Sequence, residues 1–297
     1  MPRRRSWLRR FAFVIGIGFA LVGVSAVLER LGVGRTGVGM ALGSSVGVVE
    51  LQGEIRDAET IVDELAGLRK DPSVVAIVVR IDSPGGAVAP SQEIYDEIVR
   101  CKEAKPVIAS LGNIAASGGY YIAAAATTIV AAPGTLTGSI GVIMEFRGLR
   151  QLADKVGITQ EVVKSGPFKD IGNPLRPVTD TERKLLQSMV DDVYAQFVEA
   201  VASGRGIDPA KVRQLADGRL YSGQQAKAAG LVDELGGYTR ALEIAWERAG
   251  QTGEPRVRKV HGGWHPWWID MISEAMTSAR PGVGGGLLFL YGGATPQ

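Results

Sequence analysis

The sequence predicts an α/β fold, a parallel sheet joined by helical crossovers and preceded by one N-terminal transmembrane helix. Val74–Ile81 (VVAIVVRI) is a nearly unbroken β-branched run, the pattern of a strand buried on both faces. Pro106–Leu111 and Thr128–Ala131 are further apolar runs of strand length. Helical stretches separate them, and strand–helix–strand alternation requires parallel pairing with crossovers.

The elements follow in order. Phe11–Leu28 holds 18 apolar or small residues and no charge, close to the roughly 20 that span a bilayer. Five arginines in residues 1–10 precede it, which orients the N-terminus to the cytoplasm and the rest outside. The apolar run exceeds a signal-peptide core, so it reads as an anchor; cleavage near Val24-Ser25-Ala26 is the alternative. Residues 29–45 are glycine-rich and read as a tether. A catalytic domain over 46–250 then opens with the strand Val46–Leu51. Glu59–Arg69 is helical, with Ile61, Val62, Leu65 and Leu68 on one face.

The turn Asp82-Ser83-Pro84-Gly85-Gly86 follows the Val74–Ile81 strand, and a helix spans roughly Ser91–Lys105. Ser117 opens a helix over Gly118–Ala126. A long helix starts at Asp180, where Thr179 and Glu182 form a capping box, and runs to Ser203 with Gly204 as its stop. Asp208-Pro209 and Ser222 start shorter helices. Residues 251–297 form a tail in which Trp264, Trp267, Trp268, Met271, Ile272, Ala275 and Met276 follow helical spacing. That face packs on protein or meets a membrane interface. Leu287–Tyr291 is a short apolar run that the pattern does not place.

Bulk properties exclude several function classes. Outside residues 1–10 the chain carries 28 basic against 31 acidic side chains, so nothing suggests a nucleic-acid surface. The single Cys101 excludes an internal disulfide and a multi-cysteine zinc site. The two histidines, His261 and His265, both lie near the C-terminus, which leaves a serine nucleophile little access to a histidine base.

Ser117 lies between a buried strand and a helix start, in Ala115-Ala116-Ser117-Gly118-Gly119-Tyr120-Tyr121. That placement exposes a hydroxyl at the positive end of a helix and lets a substrate approach over the glycines. The N–H of Gly118 is one candidate oxyanion donor, and that of Gly86, at the same sheet edge, is the second. Without a histidine, the base falls to a lysine, which must be neutral to act. Of the ten lysines, Lys164, Lys169 and Lys259 lie off the helices; the other seven read as solvated helix faces. Asp170 beside Lys169 would favour the charged lysine.

Five ordered motifs, DSPGG (82–86), ASGGYY (116–121), TGSIGV (137–142), SGPFKDIGNPLRPVTDTER (165–183) and LYSGQQAKAAGLVD (220–233), resemble bacterial signal peptide peptidase A in its short, single-repeat form. The resemblance covers about 46–240. It implies a ClpP/crotonase-like fold and a Ser-Lys dyad, with Ser117 as nucleophile, Lys169 as base and the Ser139 hydroxyl positioning the lysine. It further implies no cofactor and no metal, remnant signal peptides as substrates, and a homo-octameric ring in which serine and lysine meet across a protomer boundary. Two other classes share these features: an acyl-CoA enzyme of the crotonase fold, and an anchored, non-catalytic peptide-binding scaffold.

Overall fold

The computed structural model describes residues 43–260 and the backbone of 288–290. The anchor expected at 11–28, nearly all of the expected tether at 29–45 and the tryptophan-bearing stretch 264–276 lie outside the described residues. Among the described residues, no helix is long and apolar enough to cross a membrane.

The chain order is β1 (Ser45–Gln52), α1 (Glu59–Lys70), β2 (Val74–Ser83), β3 (Gly85–Ala87), α2 (Val88–Ala104), β4 (Val107–Ala116), α3 (Gly118–Ala124), β5 (Thr128–Ala131), β6 (Leu136–Gly138), α4 (Arg150–Val156), α5 (Asp180–Arg205), α6 (Pro209–Leu215), β7 (Leu220–Ser222), α7 (Gly223–Ala228), β8 (Glu234–Leu235), α8 (Tyr238–Arg248), β9 (Val257–Lys259) and β10 (Leu288–Leu290). The main sheet runs β7-β6-β4-β2-β1-β9, with β5 beside β4 and β8 beside β5. Its pairings are parallel except β6 with β7. The expected parallel sheet is therefore mixed at one edge. The three residues of β7 are too few to show a periodicity, so sequence pattern does not reveal this strand.

Both faces of the sheet are covered, which explains the unbroken apolar runs. Along β2, Ile77, Val79 and Ile81 pack into a large core with α1, α2, α3 and α5. Ala76 and Val78 point the other way, onto Ala241, Ala245 and Trp246 of α8. Alternate residues thus enter opposite cores, and neither face can be polar.

Helix α5 begins as expected: Thr179 and Glu182 form the reciprocal capping box. It does not end at Gly204. Gly206, in the left-handed conformation with φ 62°, closes it. Gly204 instead lies inside the helix, where a Cβ would fall 2.1 Å from the carbonyl oxygen of Ala124. The glycine lets α5 press on the end of α3, the helix that follows Ser117. Lys105 also departs from the solvated reading: its ammonium donates to the carbonyls of Leu68 and Asp71 and ties off the end of α1.

Gly204→Ala tests the contact between α3 and α5. Alanine favours a helix by roughly 1 kcal/mol over glycine, yet overpacking here should outweigh that and destabilise the protein by about 1–3 kcal/mol. A lower urea midpoint at unchanged m-value is the expected result; a raised midpoint would mean the helices separate at no cost.

Candidate active site

Register alone brings the separated motifs together. Strands β2 and β4 pair from Ile77 with Val107 to Ile81 with Leu111, then resume at Ser83 with Ala115. The resulting bulge in β4 is fastened by Asp82, whose carboxylate accepts the Ile114 N–H at 3.1 Å. Gly112 is required beneath it, because a Cβ there would lie 2.7 Å from the Asp82 carboxyl carbon. On the opposite side, β6 pairs Ala115 with Thr137 and Ala116 with Gly138. Ser117 therefore emerges between Ser83–Gly86 on one flank and Gly138-Ser139 on the other.

The backbone at Ser117 is strained. Its φ of 53° and ψ of −116° lie outside the regions that non-glycine residues favour. Ser117 and Ser139, with φ 50°, are the two non-glycine residues of positive φ among the described residues. Backbone bonds hold both. Ser117 N–H donates to Gly138 O at 2.8 Å, Ser117 O accepts from Tyr121 N–H at 2.8 Å, and Ser139 N–H donates to Arg219 O at 2.8 Å. Gly119 completes the junction, since a Cβ on it would approach Ser83 O to 2.9 Å. Tyr120, fully buried, anchors α3 by donating its hydroxyl to Leu231 O at 2.8 Å.

The Ser117 hydroxyl, expected from its place before a helix to be exposed, is instead buried and has no hydrogen-bond partner among the described residues. A buried polar group in that state costs about 1–3 kcal/mol; the side chains of Thr128, Arg205 and Tyr238 share it, but Ser117 alone of the four combines it with a positive φ. Beside it, Gly118 begins α3, so its N–H has no acceptor within the helix. Gly86 belongs to β3, where a Cβ would lie 2.0 Å from Ile55 O. Ile55 N–H donates to Gly85 O and Ala87 N–H to Ile55 O. Strand backbones alternate their hydrogen-bonding edges, so Gly86 turns its own N–H and C=O to the other edge of β3. Ser139, nearly buried, lines an open cavity of about 500 Å³ with Val142, Val190 and Tyr194.

Lys169 stands apart from this cluster. It is exposed, and its side chain has no hydrogen bond or ion pair among the described residues. Asp170, expected to act on Lys169, is engaged elsewhere: its carboxylate accepts from Lys164 at 2.6 Å and from Arg176 Nε at 2.8 Å. Arg176 also donates to Glu182 at 2.8 Å. The loop carrying Lys169 is thus pinned to the first turn of α5. These bonds hold Asp170 below the ordinary carboxylate range, through Arg176 first and Lys164 second. Glu182 is lowered from 4.5 to about 2, chiefly by the Arg176 bond and then by the Thr179 N–H. Gly138 and Arg176 escaped the sequence reading of site residues, although both lie within motifs quoted above. Nothing in a sequence says which carbonyl accepts the nucleophile's N–H, or which arginine holds a loop.

Residues 100–252 match Peptidase family S49, and residues 43–136 match the Clp protease family. The S49 match spans more than half of the 297 residues. The chain belongs to peptidase family S49. It is a serine peptidase of the signal peptide peptidase A type, and its mixed α/β sheet agrees with the Clp-like expectation. The chain is 46% identical over 199 residues to slr0021 of Synechocystis sp., named a candidate protease, covering 63% of this chain and 72% of that one. It is 38% identical over 193 residues to the chloroplastic serine protease SPPA of Arabidopsis thaliana, covering 65% and 28%. It is 33% identical over 250 residues to Protease 4 of Salmonella typhi, covering 80% and 39%. The chain spans well under half the length of these last two relatives.

Two outcomes follow from this geometry. Ser117→Gly and Ser117→Ala both delete the hydroxyl, but only glycine relieves the strained φ. The glycine variant should be more stable than the alanine variant by roughly 1 kcal/mol in urea titrations, the strain relieved exceeding the flexibility gained when unfolded. Equal stability would mean the backbone relaxes around alanine. Separately, Glu182 and Asp170 bind protons more weakly folded than unfolded. Their contribution is complete above the ordinary value of 4.5 and is lost as the pH falls toward about 2. The unfolding temperature should decline over that window, and less steeply in Arg176→Gln; parallel profiles would remove this network as the cause.

Proposed function

We propose that this peptidase is a membrane-anchored endopeptidase that degrades remnant signal peptides, with Ser117 as nucleophile and Lys169 as general base. The observation that carries the reading is the buried, unpartnered hydroxyl of Ser117, held in a strained junction between two glycine-bearing turns. Strain of this kind persists only where the surroundings enforce it, and it gathers at active sites.

In the proposed reaction, neutral Lys169 removes the Ser117 proton as Oγ bonds to the substrate carbonyl carbon. The carbonyl electron pair moves to oxygen, which the N–H groups of Gly86 and Gly118 receive. Collapse of the intermediate breaks the C–N bond, and the Lys169 ammonium gives its proton to the leaving amine. Lys169 then deprotonates a water that attacks the acyl-enzyme, and the proton returns to Ser117 as the carboxylic acid leaves. Ser139 orients the lysine ammonium. No metal or cofactor enters these steps.

The lysine comes from a neighbouring protomer. Two observations support this. Lys169 is exposed while the Ser117 hydroxyl lacks a partner, and the Ser139 cavity offers an open approach. Around the lysine loop, Leu149, Leu152, Val156, Ile158, Val163 and Phe168 are all exposed. Apolar exposure on this scale marks an association surface. A homo-oligomeric ring, an octamer by resemblance, covers it and delivers each lysine. A neutral lysine also requires the dry surroundings that such an interface supplies. The apolar segment 11–28 anchors the chain, with the catalytic domain on the extracytoplasmic side, where it meets apolar peptides leaving the bilayer.

Ser117→Ala and Lys169→Ala should each lower kcat/KM for an apolar fluorogenic peptide on the order of 10³-fold or more. Mixing the two inactive variants under conditions of subunit exchange should restore about a quarter of the sites, since random pairing reunites an intact serine with an intact lysine. Full activity of Lys169→Ala would remove it as the base. No recovery on mixing, with exchange verified, would place both groups in one protomer.

A further inference from the structure

The sequence sets Asp170 beside Lys169, where a carboxylate would hold the lysine in its charged form. The fold of the loop separates the two side chains. Lys169 N–H donates to Gly166 O at 3.3 Å, Ile171 N–H to Phe168 O at 3.1 Å and Asn173 N–H to Asp170 O at 3.1 Å. Bonds from residue i+3 back to residue i wind a chain at about three residues per turn, so neighbouring side chains leave it roughly 120° apart. Gly172 seats these turns against Phe146, since a Cβ on it would lie 2.6 Å from that ring.

The Asp170 carboxylate is then occupied from two sides. Arg176 reaches it with two bonds, Nε to Oδ2 and Nη2 to Oδ1, both 2.8 Å. Nη2 also donates to Asp170 O at 3.1 Å. Lys164 Nζ donates to Oδ1 at 2.6 Å and to Pro167 O at 3.2 Å. The other fork of the same guanidinium takes Glu182, which also caps α5. Two cations and two carboxylates thus form a neutral quartet, and Lys169 makes no bond to it. Anchoring the loop to α5 requires Arg176 and Glu182. It does not require Asp170 to be shared between two cations and turned from its neighbour in sequence.

We propose that Arg176 and Lys164 are positioning residues for the base: they hold the Asp170 carboxylate and leave Lys169 free to lose its proton. The inference rests on the proposed assignment of Lys169. Without Arg176, one cation faces two carboxylates, and the excess negative charge beside Lys169 favours the ammonium. The neutral fraction of the lysine falls, and the rate falls with it below the pH at which the lysine titrates. Other charged groups surround this loop. Arg150 and Asp154 of α4 line the cavity that Asp170 also lines. Across the proposed protomer boundary, Asp191 and Asp217 line the Ser139 cavity, Asp191 bonded to Gln187 and Asp217 to Arg219, both at 2.8 Å. All of these are the same in every variant below, so only the quartet changes.

The test uses the full chain in its assembled state. The acid limb of kcat/KM for the apolar peptide reports the base of the free enzyme. In Arg176→Gln this limb should move up by about one pH unit, a loss on the order of 10-fold below the limb and little above it. Asp170→Asn/Arg176→Gln should return the limb to its wild-type place, because the unpaired charge is gone. Lys164→Met keeps the bond to α5 and should move the limb the same way by less; it carries the test if Arg176→Gln does not fold. Thermal melts and sedimentation check folding and assembly. A loss by one factor at every pH, an unmoved limb, or a limb still displaced in the Asp170→Asn double variant would overturn the proposal. A second readout needs no catalysis. In Ser117→Ala, acetylation of Lys169 by trace acetic anhydride, followed across pH by mass spectrometry, should shift its midpoint up by about one pH unit when Arg176→Gln is added. If the midpoint moves while Lys169→Ala is fully active, the capture of Asp170 stands and the base lies elsewhere. If Lys169→Ala is inactive and neither limb nor midpoint moves, the base stands and the capture has no part in it.

Discussion

Ser117 is held at a φ of 53°, a conformation that costs a non-glycine residue on the order of 1–3 kcal/mol, and the surrounding sheet enforces it. The bulge in β4, fastened by Asp82, sets where the strand ends. The Gly138 carbonyl fixes the Ser117 N–H, and Gly119 admits the Ser83 carbonyl against the first turn of α3. Gly204 of α5 then presses on the far end of the same helix. Each contact makes little sense alone. Together they leave the serine no relaxed alternative, and its hydroxyl stays buried without a partner.

Among the described residues, the candidate groups are divided between a buried sheet edge and an exposed loop. The β2–β4–β6 edge carrying Ser117, Gly86, Gly118 and Ser139 is closely packed and buried. Lys169 rides on an exposed loop whose conformation depends on ion pairs from Arg176 to Asp170 and Glu182 rather than on apolar packing. That division suits the proposed completion of the site by a neighbouring protomer, in which the edge is built within one chain and the loop is offered to another. The exposed apolar residues around the loop have no other covering surface among the described residues.

Much of the fold was legible in the sequence because burial on two faces leaves a strong signal. The β-branched run of β2 and the Thr179–Glu182 capping box each report a local energy, and the structure contains both. Weak points lay where local pattern and tertiary contact diverge. Gly204 looked like a helix stop, but its role is to let another backbone approach, and the stop comes two residues later at Gly206. Lys105 looked solvated because it sits on a helix, yet it closes the end of its neighbour α1. The antiparallel strands β7 and β10 have three residues each, too few to carry a period.

The sequence by itself determined the fold class, the serine followed by two glycines and the scarcity of histidines, since these depend on residue type and short-range order. It also narrowed the base to a few lysines. Only the tertiary structure decided that Ser117 and Ser139 both take a positive φ and follow the paired ends of β4 and β6. It alone directed Asp170 to Arg176, and seated Leu288–Leu290 on the free edge of β3. Those facts arise from register and from contacts between distant segments, which a one-residue slip would undo and which no local pattern encodes.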